Sequence, residues 1–268
     1  MKILNWTNPQ WALITGASAG IGATFACQLA KEGFNIAIVA RRRKKLENVK
    51  QSIDLKGVQT EIIEADLATE SGVEIVKDFI NRNAKIEVLI NNAGFGTKGD
   101  FIEAEFLNQI NMLQVHAIVP VQLMRAVLPQ MVERKKGAII NVASLQSFMA
   151  GSGAAMYSST KGFLRFFSES VAMELEGTGV KVQALCPGFT KTEFHEVGEL
   201  QEFDRSVIPK FLWMTTEEVV EQSLRGLVKN KVVVVPGFKN RLLKFLMTSA
   251  LTSGFAKRTL RKKKDKAM

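Results

Sequence analysis

Trp11-Ala12-Leu13-Ile14-Thr15-Gly16-Ala17-Ser18-Ala19-Gly20-Ile21-Gly22 decides the fold of this chain. A short apolar run stops at a glycine, two more glycines follow, and an amphipathic helical pattern runs from Ile21 to Glu32. Glycines at such a junction allow a tight turn and let the backbone approach a pyrophosphate. They also let the helix pack close to the sheet, with phosphate at its N-terminus. The spacing is GxxxGxG, not GxGxxG. After an apolar strand and before a helix it reads as a dinucleotide cradle formed by Gly16, Ser18, Ala19, Gly20, Ile21 and Gly22. A purely structural turn is the alternative.

Outward from this junction the same alternation repeats. Strand-like runs lie at Asn35–Ala40, Thr60–Ala65, Glu87–Asn91, Ala138–Ala143, Lys181–Cys186 and Val232–Val235. Helical patterns lie between them: Arg42–Leu55, Ser71–Asn81, Glu105–Met131, Ala154–Glu176 and Thr216–Lys229. Continuous apolar strands alternating with helices predict a parallel sheet covered on both faces. With right-handed crossovers this is a Rossmann-like, doubly wound, seven-stranded α/β fold. No repeat or composition break divides residues 1–238, which read as one domain followed by a tail, 239–268.

The second strand indicates which dinucleotide. An NAD site places an acid near that strand's end for the ribose hydroxyls. Here the chain reads Ala40-Arg41-Arg42-Arg43. Guanidinium groups suit a 2′-phosphate, to which they make charge-assisted bidentate bonds. The expected cofactor is therefore NADP(H), held by Arg41 and Arg42, with Asp66-Leu67 beside the adenine.

Tyr157 is the single tyrosine, and it opens Tyr157-Ser158-Ser159-Thr160-Lys161. Four residues apart on a helix, Tyr157 and Lys161 share a face. A cation beside a phenol favours phenolate, making tyrosine a workable acid and base near neutral pH. Ser144 stands just past the strand Ala138–Ala143, where open α/β sheets put their chemistry.

Glycine loop, Asn91-Asn92-Ala93-Gly94, Ser144, YSSTK and Pro187-Gly188 together resemble the short-chain dehydrogenase/reductase family in its compact single-domain form. The match covers roughly residues 10–236. The resemblance implies that Tyr157 is the general acid and base of a metal-free carbonyl–alcohol interconversion. It makes Ser144 the group that polarises the substrate oxygen, and Lys161 the ligand of the nicotinamide ribose that lowers the Tyr157 pKa. Asn91, Asn92, Ala93 and Gly94 would border the cofactor, with Pro187, Gly188, Thr190 and Thr192 along its nicotinamide side. It also implies a homodimer or homotetramer. The family's helix asparagine is replaced here by His116, either shaping the helix in its stead or altering the proton relay.

The net charge of +10 is unevenly distributed. Residues 239–268 hold ten basic side chains and one acid, leaving 26 basic and 25 acidic in residues 1–238. A near-neutral body gives no reason to expect nucleic acid as a partner. In the tail, Leu242, Leu243, Phe245, Leu246, Met247 and Leu251 fall at helical spacing ahead of a basic cluster. That is the composition of a peripheral membrane anchor, and equally of a helix packed on the body with a solvated end. Cys27 and Cys186 lie far apart and no metal-ligand spacing exists, so no zinc site or disulfide is expected and the location reads as cytoplasmic. No stretch approaches the ~20 apolar residues that cross a bilayer. Phe194, His195, Phe203, Phe211, Trp213 and Met214 make the Thr190–Thr216 segment aromatic-rich, which points to a lipophilic ketone or alcohol as substrate or, equally, to side chains that pack on the core or on a neighbouring subunit. Two other functions stay open: an NADP-binding regulator with lost or altered catalysis, and a membrane-associated binding protein.

Overall fold

The structure is a computed structural model that describes residues 3–4, 6–82, 85–97, 99–195 and 207–249. Seven strands form one parallel sheet: β1 (Trp11–Thr15), β2 (Asn35–Ala40), β3 (Thr60–Glu64), β4 (Ile86–Asn91), β5 (Gly137–Val142), β6 (Val180–Leu185) and β7 (Val233–Val234). Their order is β3-β2-β1-β4-β5-β6-β7. The direction of winding reverses at β1, which pairs with β2 on one side and β4 on the other. A crevice opens there at the carboxyl ends of the strands.

The helices are α1 (Gly20–Glu32), α2 (Arg43–Asp54), α3 (Glu70–Arg82), α4 (Phe106–Leu113), α5 (Val119–Glu133), α6 (Ala155–Glu174), α7 (Thr216–Val228) and α8 (Phe238–Thr248). They cover both faces of the sheet. Phe25, Leu29, Leu46, Val219 and Leu224 of α1, α2 and α7 fill one core layer. Val76, Ile80, Leu123, Val127 and Val171 of α3, α5 and α6 fill the other. Each such side chain contributes about 1.5–3 kcal/mol by leaving water. All six residues of β4 and of β5 are buried, as continuous apolar strands require.

Two stretches depart from the expected pattern. The long helix is continuous from Phe106 to Glu133 but contains a π-helical turn, Gln114–Ile118. It is the one helix among the described residues long and apolar enough to cross a membrane, where the sequence reading anticipated none. Half of its most apolar window is buried: Leu123, Val127 and Met131 pack on the sheet, so its apolarity is that of a core helix. The last strand, expected over four valines, pairs only through Val233 and Val234 with β6.

The body–tail boundary drawn after residue 238 falls in the first turn of α8. That helix packs on the body. Asn240 is buried and donates to Pro236 O (2.9 Å), and Leu243 packs against a small cluster that includes Ala143, Leu145 and Cys186. Phe203 and residues 250–268 lie outside the described residues, as does the His195 side chain.

Candidate active site

The glycine turn is locked from across the sheet. Thr15 Oγ1 donates to Ile90 O (3.3 Å) and accepts from the N–H groups of Asn92 and Ala93 (3.0 Å each). The Asn92 amide donates to Thr15 O (3.0 Å) and Gly16 O (3.1 Å). Asn92 therefore acts on the loop carbonyls. Gly16 adopts φ +64°, and a Cβ there would lie 2.8 Å from Ala93 Cα. At Gly22 it would lie 2.4 Å from Gly16 O. Only bare backbone fits at both positions. Ala19 begins α1 without a side-chain cap, and no acidic residue occupies the first turn. The first N–H groups of α1 thus face the crevice with the helix dipole behind them.

Arg41 and Arg42 diverge. Arg41 is mostly exposed and stands 3.7 Å from Asp66, whose other oxygen accepts from Ala68 N (3.0 Å). The Leu67 side chain is buried in the core rather than in the crevice. Arg42 reaches over the glycine loop instead. Its Nη2 donates to Ser18 Oγ (2.8 Å) and its Nη1 to Glu193 Oε2 (2.9 Å). Lys45, in the first turn of α2, donates to the second Glu193 oxygen at 2.5 Å. These two cations hold the Glu193 carboxyl below the usual carboxylate range. Sequence reasoning missed Lys45 and Glu193. Lys45 belongs to no short pattern of its own in the sequence, and Glu193 lies 148 residues from it.

The second half of the site lies at the ends of β5 and β6. Ser144 caps the 3-10 turn Leu145–Phe148, its Oγ accepting from Gln146 N (3.1 Å). Leu145 N donates to Pro187 O (2.8 Å), tying the Ser144 segment to the Pro187-Gly188 turn. Tyr157, on the first turn of α6, stands beside Ser144. Burial raises the phenol pKa, and the neighbouring Ser144 side chain opposes that rise. Desolvation sets the direction of this shift, and Lys161 is not among its causes. Lys161 Nζ lies 6.0 Å from the phenol ring centroid and donates to Val142 O (2.8 Å). Burial lowers its pKa from 10.5 to about 8.

His116 is fully buried within the π turn. Its Nε2 accepts from Phe95 N (3.0 Å), so the ring proton belongs on Nδ1, which faces Thr160 Oγ1 at 3.2 Å. Thr160 in turn donates to Met156 O (2.8 Å). Burial first, and the Lys161 charge second, hold the imidazole pKa well below 6.5. The ring stands edge-on to Tyr157, centroids 5.8 Å apart, and a Cβ on Gly94 would collide with His116 Nε2 at 2.7 Å. Asn91 serves elsewhere: its amide donates to Asn141 Oδ1 (2.8 Å), and Asn141 donates to Ser168 Oγ (2.8 Å), beneath the site.

The segment after β6 folds over both halves. Thr190 is buried, its hydroxyl donating to Gly188 O (3.0 Å). Thr192 accepts from Phe194 N (3.2 Å) and rests against Gly20, while Phe194 approaches Tyr157 with centroids 6.0 Å apart. Phe189 packs on Trp213 (5.5 Å) and Met214 N donates to Phe189 O (2.9 Å). Asn240 of α8 fills the space above Gly188, where a Cβ would lie 2.5 Å from Asn240 Oδ1. No sequence signal marked it. Among the described residues, no group of three or more His, Cys, Asp or Glu side chains comes together.

A bare-backbone phosphate cradle beside a serine, a tyrosine and a lysine on a doubly wound sheet defines a nucleotide-dependent oxidoreductase site. The short-chain dehydrogenase family model matches residues 10–202. An uncharacterized oxidoreductase of Myxococcus xanthus (strain DK1622) is 31% identical over 224 residues, 83% of this chain and 85% of that protein. The short-chain dehydrogenase of Sphingobium yanoikuyae, solved in complex with NADPH, superposes with TM-score 0.79 at 29% identity, over 97% of this chain and 96% of that one. The bulky-bulky ketone specific alcohol dehydrogenase of Comamonas testosteroni superposes with TM-score 0.77 at 27% identity, over 97% and 95%.

This chain belongs to the short-chain dehydrogenase family, whose members use a nicotinamide cofactor. The cradle fits such a cofactor. Glycines keep Gly16 and Gly22 open to a pyrophosphate, uncapped N–H groups of α1 face it, and Arg42 and Lys45 already hold an anionic group at the loop's rim.

Proposed function

We propose that this chain is an NADP(H)-dependent oxidoreductase interconverting a lipophilic ketone or aldehyde and its alcohol without a metal. The observation that carries this reading is Tyr157 standing beside Ser144 at the carboxyl end of β5, with the buried Lys161 Nζ 6.0 Å from the phenol ring centroid. When bound, the nicotinamide supplies or accepts the hydride. The chain's own groups manage the substrate oxygen and its proton. In reduction, Ser144 Oγ hydrogen-bonds the carbonyl oxygen and Tyr157 Oη donates a proton to it. In oxidation Tyr157 Oη takes the proton back. The Lys161 ammonium and the Ser144 hydroxyl stabilise the phenolate formed on Tyr157, a task for preorganised charge in a half-buried site. His116 has both ring nitrogens engaged and stays neutral, so its role is to shape the wall behind Tyr157.

Arg42 and Lys45 support the choice of NADP(H), because a 2′-phosphate offers them the same chemistry as the Glu193 carboxylate. The NADPH-bound neighbour supports it too. Arg41, directed to Asp66, is at most a flanking contact. The aromatic rings of Phe95, Phe194 and Tyr157 favour a lipophilic substrate, as does the likeness to a ketone-specific dehydrogenase. Exposed Phe106, Leu107 and Ile110 on α4 and Phe163 and Phe166 on α6 favour a homodimer or homotetramer. Free Cys27 and Cys186 suit the reducing cytoplasm.

NADPH oxidation against a panel of ketones and aldehydes tests the reading. Tyr157→Phe should lower kcat on the best substrate about 10²–10⁴-fold with the fold intact. Unchanged turnover in that variant removes Tyr157 from the chemistry.

A further inference from the structure

Helix α8 has two faces with different work. On its inner face, buried Asn240 stands over Gly188, Leu243 packs beside Leu145, and Lys244 Nζ lies 4.6 Å from the Phe148 ring centroid. The helix is thereby fixed in rotation against the wall that carries Ser144. Its outer face is apolar as well. Phe238, Leu242 and Phe245 recur at i, i+4 and i+7, which is one stripe of an α-helix. They are 72%, 48% and 65% exposed. Phe211, 62% exposed, extends the stripe, with Lys239 Nζ 5.0 Å above its ring. Exposed Lys239 and Arg241 border the stripe on its two sides.

A contiguous stripe of large exposed apolar side chains marks an interaction surface. Its flanking charges identify the partner. Cations on both sides of an apolar stripe are the arrangement of a helix lying in a lipid interface, with side chains in the acyl boundary and ammonium groups among the phosphates. In the sequence, residues 250–268 carry seven basic side chains and one acid. A nucleic acid would use the charge but leave the phenylalanines in water. A second copy of this chain would bring the same positive charge to the interface. An anionic bilayer satisfies both features.

We propose that the Phe238–Leu242–Phe245 face of α8, with Phe211 and the flanking Lys239 and Arg241, docks the protein on an anionic phospholipid surface. This goes beyond the catalytic reading and does not depend on it. Because the inner face of the same helix bears on Gly188 and Phe148, docking there brings the substrate site next to the lipid that would dissolve an apolar carbonyl.

The test uses the full chain in co-sedimentation with phosphatidylcholine vesicles, alone or with about a third phosphatidylserine. The parent is expected to bind the anionic vesicles and to be released by about 0.5 M salt. Leu242→Glu with Phe245→Glu should weaken that binding at least about tenfold. Lys262→Gln with Lys263→Gln and Lys264→Gln should weaken it on the order of a hundredfold. Both sets change exposed or tail positions, so thermal unfolding should match the parent's, and the charge variants still decide the matter if the glutamates disturb folding. Absence of parent binding overturns the proposal. So does binding by the double-glutamate variant equal to the parent's, which would reduce the effect to loose adhesion of the tail. An oligomer broken by the glutamates without any vesicle binding would assign the stripe to a copy–copy interface instead.

Discussion

His116 offers the sharpest test of how the site is built, because its state is decided by contacts that titration can expose. The imidazole is fully buried, accepts from Phe95 N through Nε2 and faces Thr160 Oγ1 through Nδ1. Burial and the Lys161 charge hold its pKa well below 6.5. A group whose pKa is depressed on folding binds its proton more readily in the unfolded chain. Stability therefore falls as pH drops below 6.5, by up to about 1.4 kcal/mol per pH unit until the folded pKa is reached. His116→Gln keeps an acceptor near the Phe95 N–H, loses the Thr160 bond and does not titrate. At pH 8 the variant should be less stable by about 1 kcal/mol. Toward pH 5 the parent loses up to about 2 kcal/mol that the variant does not, so the gap between them closes or reverses. Urea unfolding of both proteins across pH 5–8 measures this, and contributions from the carboxylates cancel in the difference. Parallel stability curves would refute the buried neutral imidazole, and with it the assigned tautomer.

Two other predictions concern the charges. Burial takes the Lys161 pKa from 10.5 to about 8, so the folded chain carries this ammonium at a cost of about 3 kcal/mol near neutral pH. Lys161→Met, which also forgoes the bond to Val142 O, should raise stability by about 1–2 kcal/mol while abolishing turnover, and a lower Tm in that variant would contradict it. Glu193 competes for the cations assigned to the 2′-phosphate. Glu193→Gln should tighten NADPH binding about two- to fivefold and leave NADH unchanged, measured by cofactor fluorescence titration, whereas weaker NADPH binding would show that the carboxylate assists the site.

Much of the fold was legible in the residues alone. Continuous apolar runs of five or six residues can only be strands buried on both faces, and the runs with helical spacing between them force a parallel, doubly wound sheet. Gly16 with Gly22, and Tyr157 with Lys161, were legible as candidates because each pair belongs to a short pattern whose spacing fixes its neighbours, and Ser144 because it follows directly on the strand Ala138–Ala143. The π turn was not legible, because Glu105–Met131 is apolar at so many positions that a one-residue shift in helical spacing does not show. The length of β7 also escaped notice, since four valines look alike whether or not a neighbour offers them a ladder.

What the sequence determined by itself is whatever the chain encodes locally: the strand–glycine–helix junction, the shared face of Tyr157 and Lys161, and the separation of a near-neutral body from a basic end. Only tertiary structure decided which arginine reaches the glycine loop, that Lys45 and Glu193 meet there, that His116 is neutral, and that Asn240 fills the space above Gly188. Those outcomes depend on burial and on contacts between groups as far as 151 residues apart. Desolvation and the direction of a long side chain are properties of the assembled surroundings, and no spacing along the chain records them.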